Sequence, residues 1–326
     1  MKIHSMWEPY PELKKDLADV LDIINNHITL KDKKARKTVI DLLYAGGKLL
    51  RPAFLILMAK TGKNYNREQI LHVAASVEVL HMASLIHDDI VDEATTRRGM
   101  PTVYSQFGTK YALYTGDYLF TVCFKILSKH ASALSTIEFN TSTVERILVG
   151  ELEQMNSRYN LEMSVKSYLK QISKKTAALF SLSAQMGAEL SDHTILGKLN
   201  AKKIGSDIGM AFQILDDILD YTQNSFKLGK PVLEDMKQGV YSLPLIHAMN
   251  HNPESFKIIL NKRENINESD ASKILFLIEK YNGCVYARNI AAKYTKKAIL
   301  RIQKLPDGES KKILLDITDK LLVRTN

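Results

Sequence analysis

The chain has 326 residues, of which 45% are hydrophobic, and it carries a formal net charge of +9 at pH 7. Its Lys and Arg residues are scattered and are not interleaved with aromatic residues, so we expect a polyanionic small substrate and no nucleic-acid partner. The longest apolar run, residues 53–59, is far shorter than the roughly 20 residues of a membrane span. The N-terminus also lacks the apolar segment of a signal peptide, so we expect a cytoplasmic protein without a transmembrane segment. The two cysteines are far apart and form no CxxC motif, so they indicate neither a disulfide framework nor a cysteine zinc site.

Helical periodicity runs through nearly the whole chain. Only 15 Gly and 8 Pro residues interrupt it, which is too few turn signals for an all-β fold. No stretch sustains strand-like alternation, and no long linker separates the helical segments. The sequence therefore predicts a single all-α domain over residues 1–326.

The first motif in chain order is Gly46-Gly47-Lys48-Leu49-Leu50-Arg51-Pro52. Its two glycines let the backbone approach a ligand closely. Lys48 then offers a point charge, and Arg51 offers a bidentate fork, as diphosphate oxygens require. A helix break followed by surface cations explains the same residues without a ligand.

The second motif is the acidic pentad Asp88-Asp89-Ile90-Val91-Asp92, followed by Arg97 and Arg98. Asp88 and Asp92 share one predicted helix face with His81 and Ser84. Three carboxylates on about one turn repel one another unless a cation lies between them. The two arginines either form a salt-bridge cluster with the aspartates or hold phosphate oxygens beside them.

The C-terminal half repeats this chemistry. Lys174-Lys175-Thr176 lies in a predicted helix rich in small residues, and Gly205 and Gly209, one turn apart, predict a closely packed neighbouring helix. The pentad Asp216-Asp217-Ile218-Leu219-Asp220 has the same form as the first, and Gly229-Lys230-Pro231 follows it. Two such pentads facing each other would form a cage of hard oxygen ligands, which suits Mg²⁺.

In these motifs and in their order, the chain resembles the trans-isoprenyl (polyprenyl) diphosphate synthases. The similar segments read GGKLLRP, LIHDDIVDEATTRRGMPT, the Lys-Thr pair, FQILDDILDY and GKP, and they span roughly residues 40–250. The resemblance is greatest to bacterial long-chain enzymes, including the catalytic component of heptaprenyl diphosphate synthases. It implies an isoprenoid-synthase-type helical bundle around a central cavity. It also implies a Mg²⁺-dependent prenyltransferase that joins isopentenyl diphosphate head to tail to an allylic prenyl diphosphate.

The resemblance implies a role for each motif residue. The expected metal ligands, for three Mg²⁺ ions, are Asp88, Asp92 and Asp216, supported by Asp89, Asp217 and Asp220. The expected contacts to the allylic diphosphate are Arg97, Lys175, Gln213 and Lys230. The expected contacts to isopentenyl diphosphate are Lys48, Arg51, His81 and Arg98. The expected catalytic set is Asp88, Asp92, Lys175, Thr176, Gln213 and Asp216.

The chain departs from the family pattern after its D-x-x-x-G segment. Many relatives carry Lys after this glycine, whereas Gly239 is followed here by Val240. Either one phosphate contact is missing or Lys237 replaces it.

Ala83 and Ser84 are the residues expected to set product length. They lie one turn before Asp88, where short-chain relatives often place a bulky aromatic residue, so we expect a product longer than C15. In the alternative, the two small residues serve helix packing, and a deeper residue such as Tyr118 or Phe120 closes the tunnel.

The resemblance also implies a dimer, either of two copies or with a small regulatory subunit, and peripheral membrane contact for product release. The apolar stretch 111–127 is the predicted interface. Three alternatives remain open: a short-chain farnesyl or geranylgeranyl synthase, a class I terpene cyclase, and a non-catalytic helical subunit. A cyclase usually lacks an intact second pentad and GKxxRP, and a non-catalytic subunit is expected to lose pentad carboxylates.

Overall fold

The computed structural model describes residues 3–45, 47–130, 134–222 and 234–322. These residues form sixteen α-helices and one short antiparallel hairpin. The helices are α1 (Pro11–His27), α2 (Lys33–Tyr44), α3 (Leu50–Ala59), α4 (Arg67–Val91), α5 (Val103–Phe107), α6 (Thr109–His130), α7 (Leu134–Asn156), α8 (Val165–Lys175), α9 (Ala177–Glu189), α10 (Ile195–Thr222), α11 (Glu234–Lys237), α12 (Leu243–His251), α13 (Pro253–Leu260), α14 (Glu268–Lys280), α15 (Gly283–Ile302) and α16 (Glu309–Leu322).

The all-α prediction is confirmed, with one local exception. The strands β1 (Thr96–Arg97) and β2 (Met100–Pro101) pair antiparallel directly after the first pentad. The two residues between them, Arg98 and Gly99, have φ values of 52° and 76°. Positive φ at both central residues is the geometry of a tight two-residue hairpin turn.

The chain divides into two compact units, each built from segments that are distant in sequence. The first comprises Met1–Thr141, Leu182–Lys202 and Leu305–Leu314, and the second comprises Ser142–Ser181, Lys203–Lys304 and Leu315–Asn326. The single domain over residues 1–326 stays a prediction.

Helix α4 is the centre of the first unit. It packs against α1, α3 and α6, and buried apolar side chains occur on most of its faces. Each fully buried Leu, Ile or Val stabilises the unit by about 1.5–3 kcal/mol. By length and composition α4 could cross a membrane, but 72% of its apolar window is buried inside the protein, as in a core helix. Its C-terminal end carries the first pentad.

The second unit has its own hydrophobic core around α12, which packs against α8, α14 and α15. Helix α10 approaches the start of α9 closely: a Cβ at Gly209 would lie 2.6 Å from Ala177 Cα, and one at Gly205 would overlap the Phe180 carbonyl. The close packing expected at this glycine pair is confirmed. One turn beyond Gly209, it places Gln213 beside Thr176.

Candidate active site

The first pentad contains one buried and two more accessible positions. Asp89 is 2% exposed, and Arg97 Nε donates to its Oδ1 at 2.6 Å. Burial raises the pKa of Asp89, Arg97 offsets this, and Asp88 and Asp92 raise the pKa further. Asp89 therefore anchors the hairpin to α4, whereas Asp88 and Asp92, one turn apart, are more accessible to solvent.

The hairpin turn brings the second arginine towards the glycine motif. Arg98 adopts a left-handed backbone conformation, which is costly for a residue with a side chain and is often found at functional sites. A Cβ added at Gly47 would lie 2.6 Å from Arg98 Nη1. Only glycine lets the guanidinium lie this close to the backbone of the loop.

A charged network centred on the buried Glu78 joins this loop to α4. Glu78 is 6% exposed, and it interacts electrostatically with Arg51 and Arg98. Burial raises the pKa of Glu78, and the two arginines partly offset it. Burial, followed by Arg51, Arg98 and Arg97, lowers the pKa of His81 well below its usual range. His81 is therefore neutral at pH 7 and serves as a hydrogen-bonding group among cations.

The N-terminal segment forms a hydrogen bond to the backbone of Lys48. Trp7, the single tryptophan of the chain, is fully buried, and its Nε1 donates to the Lys48 carbonyl at 2.8 Å. Leu49, the N-cap of α3, has a φ of 49°. The loop therefore has a fixed backbone that positions Lys48 ahead of Arg51.

Replacing Gly47 by Ala tests this arrangement. The added Cβ forces the end of the Arg98 side chain to move, but no backbone atom needs to shift. We expect KM for isopentenyl diphosphate to rise about tenfold, because one charge-assisted contact is displaced, while the free energy of unfolding changes by less than about 1 kcal/mol. Gly308→Ala is the matched control, since nothing lies within 4 Å of its Cβ position. Steady-state kinetics that show the same KM in both variants would contradict the placement of Arg98.

In the second unit, a series of side-chain hydrogen bonds joins α8, α10 and the junction before α9. Thr176 Oγ1 donates to Gln213 Oε1 at 2.6 Å, Gln213 Nε2 donates to Asp217 Oδ1 at 2.7 Å, and Tyr168 Oη donates to Asp217 Oδ2 at 2.5 Å. These hydrogen bonds fix the orientation of the Gln213 amide, with its oxygen towards Thr176. The far end of the series is anchored in the core by Tyr168, which is 3% exposed.

The helix predicted to run through Lys175 and Thr176 is interrupted there. Helix α8 ends at Lys175 and α9 begins at Ala177, with Thr176 at φ −99° and ψ −50° as the junction. The hydroxyl of Thr176 donates to Gln213, so it does not bond to a backbone carbonyl of its own helix. Lys175 Nζ donates to Glu151 at 2.8 Å and to Gln154 at 2.9 Å, so α7 sets the direction of this cation.

The carboxylates of the second pentad are crowded. Burial raises the pKa of Asp217 to about 7, although its two hydrogen bonds work against this. Partial desolvation, then Asp235, then Asp216 raise the pKa of Asp220 to about 6. Asp235, from α11, therefore adds a further carboxylate to this cluster.

The pH dependence of stability follows from Asp217. Its folded pKa of about 7 lies above the ordinary value of 3.8, so between these values the folded state binds more protons than the unfolded chain. The free energy of unfolding of the metal-free protein therefore falls as the pH rises through this window. Asp217→Asn keeps partners for Gln213 and Tyr168 but cannot titrate. From pH 4 to pH 8, the free energy of unfolding of the variant should therefore rise by about 1 kcal/mol or more relative to that of the wild type. Urea unfolding in the presence of a chelator measures it. Parallel pH profiles would show that Asp217 ionises normally.

The ligand types in both units fit Mg²⁺. Each unit presents carboxylate oxygens, which are the hard ligands this ion prefers. Burial is the main cause of the raised pKa values of Asp89 and Asp220, and in each unit the neighbouring carboxylates raise them further. A divalent cation bound among them removes that repulsion.

The predicted site residues fall into two groups. Those gathered in the first unit are Lys48, Arg51, His81, Asp88, Asp89, Asp92, Arg97 and Arg98. Those gathered in the second are Lys175, Thr176, Gln213, Asp216, Asp217 and Asp220. Lys230, with Gly229 and Pro231, lies outside the described residues. That the two pentads face each other across a cavity stays a prediction.

The chain-length residues differ from each other in their surroundings. Ala83 is 0% exposed and belongs to the core of the first unit. Ser84 is half-buried, shares the face of Asp88, and its Oγ donates to the His81 carbonyl within its own helix. The backbone N–H of Thr29 donates to the hydroxyl of Tyr118, the alternative floor, at 2.7 Å. Ser84 is thus the residue of the pair positioned to line a space next to Asp88.

Sequence reasoning missed four residues that support the site: Glu78, Trp7, Glu151 and Tyr168. Glu78 carried one usable signal, because it lies one turn before His81 on an otherwise apolar helix and a charge there requires a partner. The other three act across distances in the sequence that no local pattern reveals.

Comparisons with known proteins find similar sequences and structures over most of the chain. The polyprenyl synthetase family model matches residues 32–279. Component 2 of heptaprenyl diphosphate synthase from Geobacillus stearothermophilus is 32% identical, with 97% of each chain covered. The crystal structure of geranylgeranyl pyrophosphate synthase from Lactobacillus brevis is 36% identical with a TM-score of 0.94, covering 98% of this chain and 99% of that one. Heptaprenyl diphosphate synthase from Staphylococcus aureus is 32% identical with a TM-score of 0.90, covering 96% and 99%.

Proposed function

The chain belongs to the polyprenyl synthetase family and is a prenyltransferase, and on that premise we propose that it condenses isopentenyl diphosphate head to tail with an allylic prenyl diphosphate. One observation carries the proposal: His81 lies among the cations Arg51, Arg97 and Arg98 in the first unit, on the helix that ends in Asp88 and Asp92. A cationic pocket next to a carboxylate pair binds one diphosphate directly and a second one through Mg²⁺.

We assign the two substrates to different groups of residues. Lys48, Arg51 and Arg98 hold the diphosphate of isopentenyl diphosphate, and the neutral imidazole of His81 adds a hydrogen bond. Glu78 keeps the Arg51 and Arg98 side chains near each other despite their repulsion. In the second unit, Lys175 contacts the allylic diphosphate and Thr176 and Gln213 line the reacting centre. Lys230 is expected to join them.

The chemistry needs no protein nucleophile. Asp88, Asp92 and Asp216 would hold Mg²⁺ (three ions by family resemblance), and its charge would offset that of the leaving diphosphate and so favour ionisation of the allylic C–O bond. The residues of this chain hold the double bond of isopentenyl diphosphate within reach of the resulting allylic cation. A proton is then lost to the released diphosphate. Excluding water is essential, because water would quench the cation.

Diphosphate release tests the proposal against its nearest alternative. With Mg²⁺ and farnesyl diphosphate, we expect release to require isopentenyl diphosphate, since ionisation without an acceptor is unproductive. Release at the same rate when isopentenyl diphosphate is omitted would instead identify a cyclase-like activity. Release that persists in excess chelator would contradict the metal assignment.

Lys48→Ala and Arg51→Ala test the isopentenyl diphosphate site. Each removes one charged hydrogen-bonding group, so we expect KM for this substrate to rise about 10–100-fold and KM for the allylic substrate to change little. Arg51→Ala also leaves Glu78 buried without one of its cations, so it should lower the free energy of unfolding, whereas Lys48→Ala should not. An unchanged KM for isopentenyl diphosphate in both variants would refute the assignment.

We propose a product longer than C15 and action with a second subunit. The first is supported by the small Ser84 and by the heptaprenyl synthases among the similar proteins. The second is supported by the relative from Geobacillus stearothermophilus, which is component 2 of its synthase. Native mass measurement of the purified chain, paired with its activity alone, distinguishes a homodimer from a chain that needs a different partner.

A further inference from the structure

Three histidines and a glutamate meet at the end of α4 that is remote from the pentad. Glu68 and His72 lie in the first turns of α4, His130 is the last residue of α6, and His27 is the last residue of α1. The ligand atoms of Glu68, His72 and His130 all lie within 4.8 Å of one another. All four residues belong to the first unit.

The ring arrangement places the nitrogen donors side by side. The His72 and His130 rings are stacked, with centroids 3.6 Å apart and planes 15° from parallel. The His27 ring stands edge-on to His72, with centroids 6.1 Å apart. Repulsion keeps two positive rings from stacking at this distance, so the pair is built for neutral imidazoles or for a shared cation.

Backbone carbonyls fix the tautomers of two of these rings. His72 Nδ1 lies 2.9 Å from the Glu68 carbonyl, and His27 Nδ1 lies 2.8 Å from the Ile23 carbonyl. A carbonyl only accepts, so each Nδ1 carries a proton, and in a neutral imidazole Nε2 is then the nitrogen that offers a lone pair. Orientation by a carbonyl on the other ring nitrogen is the usual arrangement of a metal-ligating histidine.

The cluster is partly accessible to solvent, with His72 and His130 half-buried. Metal binding needs neutral imidazoles, because a proton competes for the same lone pair. Glu68 is exposed, so its carboxylate is free to turn towards an ion at the surface.

The cluster is separate from the Mg²⁺ chemistry. His72 precedes Asp88 by 16 residues on one continuous helix, which places the two about 24 Å apart along its axis. The donors are also different: two imidazoles with one carboxylate suit Zn²⁺ and similar transition-metal ions, whereas Mg²⁺ prefers oxygen ligands alone.

We propose that Glu68, His72 and His130 form a site for a divalent transition-metal ion, with Zn²⁺ as the representative ion, that ties the start of α4 to the end of α6. Gln69 already joins the same two helix ends, since its Nε2 donates to the His130 carbonyl at 2.8 Å. A bound ion adds a second, stronger link at that point, and its binding free energy stabilises the folded state.

The test is Zn²⁺ titration of the metal-free, full-length chain by calorimetry near pH 7.5, in millimolar Mg²⁺. We expect one saturable site per chain with a dissociation constant of about 10 μM or tighter. His72→Asn and His130→Asn should each weaken binding at least about tenfold and abolish the Zn²⁺-induced rise in Tm. Replacing Zn²⁺ by Co²⁺ should give visible absorbance from an imidazole-ligated ion, which each variant loses.

His251→Asn is the matched control. It removes one member of another histidine pair, His247 and His251, whose ring centroids lie 4.5 Å apart, and it should leave Zn²⁺ binding unchanged. No saturable binding by the wild type, or equal binding by the wild type and by both cluster variants, would overturn the proposal. Circular dichroism of the metal-free variants confirms that they are folded. The readout is binding and not turnover, so its failure is distinct from a failure of the proposed prenyl transfer.

Discussion

Asp88→Ala and Asp216→Ala are each expected to lower turnover about a thousandfold or more, because each removes a proposed Mg²⁺ ligand from the group that carries the charge of the leaving diphosphate. Neither substitution should destabilise the fold. Each substitution removes one carboxylate from a crowded group, so the metal-free Tm should stay the same or rise. Turnover with saturating substrates and metal-free thermal unfolding measure the two effects separately.

Two controls sharpen this prediction. Asp319→Ala removes an exposed carboxylate on α16, far from either pentad in the sequence, and should retain activity. Asp89→Ala removes the buried partner of Arg97 and should lower the free energy of unfolding by about 1–3 kcal/mol. If Asp88→Ala or Asp216→Ala unfolds as Asp89→Ala does, the pentads are structural features and the assigned mechanism is wrong.

Ser84→Phe is expected to shorten the product. Ser84 lies one turn before Asp88 on the same face of α4, and its side chain is half-buried and bonded only within its own helix. An aromatic ring there would fill the space that the growing chain enters beyond the diphosphate. With farnesyl diphosphate as primer, we expect the main product to shift towards C20, as resolved by chromatography.

Ala83 and Ser84 are expected to behave differently, although the sequence pairs them. Ala83 is 0% exposed, so Ala83→Phe should destabilise the fold by about 1–3 kcal/mol or more through overpacking. Ser84→Ala is the conservative control and should leave the product distribution unchanged. If Ser84→Phe also leaves it unchanged, the tunnel is closed elsewhere, and Tyr118 and Phe120 become the residues to test.

The motif residues could be predicted from the sequence because their roles depend on local spacing. Asp88 and Asp92 lie one turn apart on any helix, and Gly205 with Gly209 signals close packing regardless of the neighbour. Residue type is a less reliable guide to burial within the second pentad. The charged Asp217 is 9% exposed, whereas the apolar Leu219 is 45% exposed. The hydrogen bonds from Tyr168 and Gln213 allow a carboxyl group to be buried there.

The supporting residues could not be predicted because their contacts are non-local. Tyr168 reaches Asp217 across 49 positions, and Trp7 reaches Lys48 across 41. Neither pair leaves a periodic trace in the sequence. The strained Arg98 is visible in the sequence only as Arg-Gly before Met-Pro, and its approach to Gly47 depends on how the hairpin folds back.

Isotope-labelled isopentenyl diphosphate tests the central claim most directly. The purified chain is incubated with farnesyl diphosphate, the labelled substrate and Mg²⁺, and the products are separated by chain length. The proposed function predicts label in prenyl diphosphates longer than C15, with none formed when a chelator removes Mg²⁺. Label confined to isopentenyl diphosphate while farnesyl diphosphate is converted to other products would contradict it.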